Sequence, residues 1–81
     1  MTYDNLGNAK AKVGDFNGAI NDFTKAIELD SENAEVYYSR GAAKFLLGDR
    51  TGALKDLNKA GELGYAEAYG VIRKIKAGDG L

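Results

Sequence analysis

The chain repeats itself. Shifted by 34 positions, residues 3 to 29 match residues 37 to 63 at 13 of 27 places. Tyr3 falls on Tyr37, Gly7 on Gly41, Ala9 on Ala43 and Lys10 on Lys44. Gly14-Asp15 falls on Gly48-Asp49, Gly18-Ala19 on Gly52-Ala53, and Asp22 on Asp56. Lys25/Lys59, Ala26/Ala60, Glu28/Glu62 and Leu29/Leu63 complete the set. Ordinary residue frequencies would give about one or two such coincidences. A period of this length means two copies of one supersecondary unit, stacked so that each buries the apolar face of its neighbour.

Each copy reads as a pair of helices. Tyr3, Leu6, Ala9 and Val13 recur at helical spacing, and Gly14-Asp15 then interrupts. Gly adopts the left-handed conformation that closes a helix, and Asp caps the next by accepting from its free N–H groups. Phe16, Ala19, Ile20, Phe23, Ala26 and Ile27 form a second amphipathic stripe. The second copy repeats the plan with Tyr37, Gly41, Ala43 and Leu47, then Ala53, Leu54, Leu57 and Ala60. There is no proline, as an almost wholly helical chain allows. Gly7 and Gly41 lie inside predicted helices, where glycine costs about 1 kcal/mol relative to alanine. That cost implies a close helix crossing, with Ala19, Ala26, Ala53 and Ala60 as the shallow facing surface. Tyr3, Phe23 and Tyr37 are then expected to be the large side chains that fill the gaps.

A helix-turn-helix period of 34 residues, with aromatic-x2-Leu-Gly followed by Ala-x3-Phe and Ala, resembles the tetratricopeptide repeat (TPR). Tyr3, Leu6, Gly7, Ala19, Phe23 and Ala26 carry the resemblance in the first unit, and Tyr37, Gly41, Ala53, Leu57 and Ala60 in the second. It covers about four-fifths of the chain. It implies an all-α, right-handed α-α superhelix in a single domain: repeat one at 1–33, repeat two at 34–67, and a capping helix and tail at 68–81. Some positions depart from the pattern. Arg40 stands where it has Leu, Lys10 and Lys44 where it has Tyr, and Ser31 and Tyr65 where it has Pro. The missing prolines are expected to loosen the turns between repeats.

The last segment is less than a unit. Ala68, Val71, Ile72 and Ile75 recur at helical spacing, and Gly78 with Asp79-Gly80 ends the pattern. A fifth helix covering the end of the array is expected, with Arg73, Lys74 and Lys76 as its solvated outer face. These cations also suit the negative end of a helix.

The composition removes most chemistry. There is no Cys and no His, so thiol nucleophiles, imidazole bases, disulfides and the usual zinc ligands are absent. A net charge of −1 argues against a nucleic-acid partner. No apolar run is long enough to span a membrane. No export signal is recognisable, and the expectation leans to the cytoplasm. Asp30-Ser31-Glu32-Asn33 is the densest oxygen cluster, and it reads as a turn that caps the next helix rather than a calcium loop. No glycine pattern matches a phosphate-binding loop. The carboxylates are expected on outer faces, and no nucleophile-and-base pair can be drawn. The expectation is a non-catalytic chain with no cofactor and no metal.

What remains is surface. The resemblance implies that the first helices of the repeats line a concave groove that receives an extended peptide or a partner helix. Its inner positions correspond here to Asp4, Asn5, Asn8, Ala11 and Lys12, to Glu35, Tyr38, Ser39, Ala42, Phe45 and Leu46, and to Tyr69, Ile72 and Arg73. Asn5, Asn8, Lys12, Tyr38, Ser39, Phe45, Tyr69 and Arg73 are the candidate contact residues, with Tyr38, Phe45 and Tyr69 as anchors. The plainer alternative has Tyr38 beneath the last helix and Phe45 covering it. Some family members grip the C-terminal carboxylate of heat-shock chaperones. Of the positions corresponding to that clamp, Asn8 and Arg73 match and Asp4, Ser39 and Tyr69 do not, so that activity is not expected. Self-assembly is the competing expectation. Residues 1–33 carry −3, residues 34–67 zero and residues 68–81 +2, an asymmetry suited to head-to-tail stacking, while a homodimer or a swapped helix would bury the open face of the first unit.

Overall fold

The computed structural model describes residues 2–78. Five helices follow one another: α1 (Tyr3–Lys12), α2 (Phe16–Leu29), α3 (Ala34–Leu46), α4 (Arg50–Glu62) and α5 (Glu67–Lys76). No strand occurs among the described residues. Each helix packs against the one before it, and α1 also touches α3. Connections of three or four residues leave consecutive helices antiparallel. The result is the α-α repeat fold that the 34-residue period demands.

Local chemistry sets the turns. Gly14 and Gly48 take φ of +87° and +90°, and the next residue caps the following helix. Asp15 accepts from the Gly18 N–H at 3.0 Å, and Asp49 from the Gly52 N–H at 2.9 Å. Between the hairpins, the Asn33 side chain accepts from the Val36 N–H and Asp30 from the Glu32 N–H. The Asp30–Asn33 cluster is therefore used up in turn and cap. Gly78 has φ of +83° after α5. The expected stop at Asp79-Gly80 lies outside the described residues.

The glycines inside the helices mark the close crossings. A Cβ at position 7 would stand 2.6 Å from the Phe23 ring, and one at position 41 would stand 3.1 Å from the Ala53 carbonyl and the Leu57 side chain. Ala19, Ala53 and Ala60 are fully buried opposite them, while Ala26 is half-buried. Two apolar clusters result. Ala19, Phe23 and Val36 join the first hairpin to the start of α3. Leu57, Ala60, Ala68, Ile72 and Ile75 join the second hairpin to α5. The fifth helix thus covers the second hairpin, and Arg73, Lys74 and Lys76 face solvent.

Two expectations need correction. Tyr3 fills no gap: it is 39% exposed, with the Lys25 ammonium 5.5 Å from its ring centre. No described helix packs across that side of α1. Nor do all carboxylates lie on outer faces. Asp22 and Asp56 are 6% and 5% exposed, because both project from their second helix onto lysines of the first.

Candidate functional site

The buried polar groups are built from the repeat itself. Lys10 Nζ stands 2.9 Å from Asp22 Oδ2, and Lys44 Nζ stands 3.0 Å from Asp56 Oδ2. In the second hairpin Arg40 completes the set, its Nε and Nη2 each donating to one Asp56 oxygen at 2.8 Å. This is the planar two-point pairing that guanidinium and carboxylate favour. Arg40 Nη1 also donates to Thr24 Oγ1 at 3.2 Å, so one side chain ties α2, α3 and α4 together. The Asp56 carboxylate holds Arg40 above the ordinary arginine pKa, against the opposing effect of burial. In the first hairpin Leu6 stands at Arg40's place. Asp22 is left with Lys10 as its ion-pair partner among the described residues, without the two-point pairing that Asp56 receives. The hydrogen bond to Asp22 raises the Lys10 pKa, with desolvation working against it and the charges of Asp22 and Asp15 adding to it. None of these groups forms a nucleophile-and-base arrangement, and they act as internal bracing.

The candidate contact residues fall on the three helices that head each unit. Asn5, Asn8 and Lys12 are exposed on α1. Tyr38, Ser39 and Phe45 are half-buried on α3, and Tyr69 and Arg73 are exposed on α5. Tyr38, Ala42 and Phe45 share one stripe of α3 by helical spacing. Tyr38 and Phe45 both rest against the cluster that contains Ile72, so each presents only part of its ring outward. Ile72, one of the inner positions, is itself buried at 6% exposure. Leu46, at the end of the stripe, is 58% exposed. Tyr69 packs on α4 instead, its ring over Gly61, where a Cβ would stand 2.5 Å away.

One further residue joins this surface. Tyr65, in the loop before α5, lies against Tyr38 with ring centres 4.7 Å apart and planes tilted by 37°. Burial and then the charges of Glu67, Tyr38 and Glu35 push the Tyr65 phenol above its ordinary pKa. The sequence signal was present as a tyrosine at a place where the repeat pattern has proline. No pocket is enclosed among the described residues, so any partner meets an open surface. No group of three or more metal-ligating side chains occurs among them either. No helix is long and apolar enough to cross a membrane.

Residues 7–48 match the family model described as TPR repeat. The match takes in α1 from its buried glycine, the whole first turn and the entire α2–α3 junction, which is just over half of the chain. The chain belongs to the TPR repeat family. TPR repeats are generally protein-interaction modules and typically non-catalytic, which points to protein partners. No curated protein matches the chain.

Proposed function

We propose that the face headed by α1, α3 and α5 binds an extended peptide or a partner helix. Tyr38, Phe45 and Tyr69 are the anchors, with Asn5, Asn8, Lys12, Ser39 and Arg73 as polar contacts around them. The observation that carries this reading is the α3 stripe. Tyr38 and Phe45 stay half-open beside the exposed Leu46, so apolar surface continues outward from the core. Half-sunk rings of this kind are held rigid by the core yet keep an apolar edge for a partner. The test is selection from a displayed peptide library, followed by calorimetry with the peptides recovered. Tyr38→Leu with Phe45→Leu, which keep apolar packing on the Ile72 cluster but remove the aromatic edges, should weaken binding at least tenfold while helicity is retained. Leu46→Ser, which disturbs no core contact, should weaken it several-fold. Unchanged affinity in both variants sinks the reading.

A second reading is self-association. It is supported by Tyr3, Val13 and Leu29, which leave the first hairpin with three exposed large apolar side chains, Val13 at 82% and Leu29 at 76%. Light-scattering mass after gel filtration separates the two. A particle of 8.6 kDa at every concentration and salt level removes self-association. A mass that rises with concentration and falls with salt supports pairing of the oppositely charged ends.

A further inference from the structure

The helices that head the units are charged alike along their length. The first turns hold Asp4 in α1, Glu35 in α3 and Glu67 in α5. The last turns hold Lys10 and Lys12, then Lys44, then Arg73, Lys74 and Lys76. The partner helices α2 and α4 carry no acid in their first turns. Acids at a helix start and cations at its end each suit the helix dipole. Because these three helices run in the same sense, their first turns combine into an acidic border on one side of the binding face, while at the opposite ends Lys10 and Lys44 are turned inward onto Asp22 and Asp56.

The Tyr38–Tyr65 ring pair lies at the acidic border. Glu35 is one helical turn before Tyr38 on the same face of α3, and Glu67 is two residues beyond Tyr65. Both carboxylates are exposed, and neither forms an ion pair among the described residues. No cation of those residues lies over either ring, since the two cation–ring contacts involve Tyr3 and Tyr37. An aromatic face beside unpaired carboxylates suits a guanidinium, which stacks on rings and pairs with carboxylates at once. From Tyr38 to Phe45 is seven residues of helix, about 10 Å. An extended peptide covers that distance in about three residues.

We infer that Tyr38 and Tyr65, bracketed by Glu35 and Glu67, receive an arginine side chain of an extended peptide whose apolar residue about three positions away rests on Phe45 and Leu46. This names the partner chemistry of the groove and rests on the groove reading above. It also orients the peptide, with its basic end at the start of α3.

The test is a titration of the isotope-labelled protein followed by amide NMR. The probe is a capped hexapeptide with arginine second, leucine fifth and glycine elsewhere. Its twins carry glutamate or lysine in place of arginine. The arginine peptide should shift the amides around Tyr38, Tyr65 and Glu67 together with those of Ala42 to Leu46. The lysine twin should bind more weakly, and the glutamate twin should lose at least tenfold in affinity. Glu35→Gln with Glu67→Gln should cost the arginine peptide at least threefold and leave the thermal melt of these exposed sites nearly unchanged. Equal binding of the arginine and glutamate peptides, with shifts confined to Ala42 to Leu46, overturns the arginine site and leaves the groove standing. Shifts elsewhere, or none with any peptide, overturn both.

Discussion

Asp22 and Asp56 hold the same place in their hairpins, 34 residues apart, and both are buried. Their surroundings differ. Asp56 meets Arg40 at two points and Lys44 at a third, and Arg40 reaches on to Thr24 in the neighbouring hairpin. Asp22 has one ion-pair partner among the described residues, a lysine whose side chain is 41% exposed. One substitution separates the two arrangements, Leu6 against Arg40. A buried carboxylate costs free energy unless it is fully partnered. The second hairpin therefore converts the burial into a clamp across three helices, and the first holds it less completely. Identity at equivalent positions does not guarantee identity of role, because the role depends on a neighbour one turn away.

Both hairpins depend most heavily on the helix crossing that they share. Gly41→Leu would drive a side chain into the Ala53 carbonyl and the buried Leu57. Overpacking of this kind typically costs about 1–3 kcal/mol, and a clash with a backbone carbonyl belongs at or above the top of that range, so the largest fall in melting temperature by circular dichroism is expected here. Next in size is Asp56→Ala. It strands Arg40 and Lys44, whose side chains are 17% and 22% exposed, and should cost about 3 kcal/mol in a urea titration. Asp22→Ala should cost clearly less, because Lys10 can turn to water. Equal losses would erase the distinction between the hairpins. Smallest is Leu6→Arg, which offers Asp22 the partner that Asp56 already has. A gain of about 1 kcal/mol or less is expected. A destabilisation would mean that Leu6 packs too well to yield its place.

Tyr65 offers a check by pH. Its raised pKa means that the fold favours the neutral phenol. The associated stability is full below the ordinary tyrosine value and is lost as pH rises through the raised one. Tyr65→Phe should flatten that alkaline decline in a series of melts. Glu35→Gln with Glu67→Gln should move the phenol's titration, followed by ultraviolet absorbance, back toward the ordinary value. Burial, the largest cause, stays in place, so the return should be partial. An unmoved titration would show that the two carboxylates do not act on the ring pair.

Much of the fold was legible because its determinants are local. The Gly-Asp turns and the apolar stripe of α5 each depend on residues within a few places of one another, and the 34-residue self-match shows that the same local unit is used twice. Gly7 and Gly41 announced the close crossings by the cost of glycine in a helix. The polar bracing was not legible in the same way. Lys10/Lys44 and Asp22/Asp56 repeat at the full period, yet their pairing bridges twelve residues and a turn. Arg40 read only as a departure from leucine, since its partners Thr24 and Asp56 are each sixteen residues away, in opposite directions. For the proposed binding face, the positions along α1 and α3 followed from the resemblance to the TPR repeat. The Tyr38–Tyr65 contact did not, because it depends on how a loop brings its ring back over another helix.

Among the described residues, each helix rests chiefly on the one that precedes it in the chain, with only light contacts between helices further apart. Such a chain has few distant ends to bring together, so little loop-closure entropy stands between the unfolded and folded forms. Folding of this kind belongs with the fast class, in microseconds to milliseconds, and can start from either hairpin. The two Gly-Asp turns are the natural places to start, since each closes a loop of only a few residues.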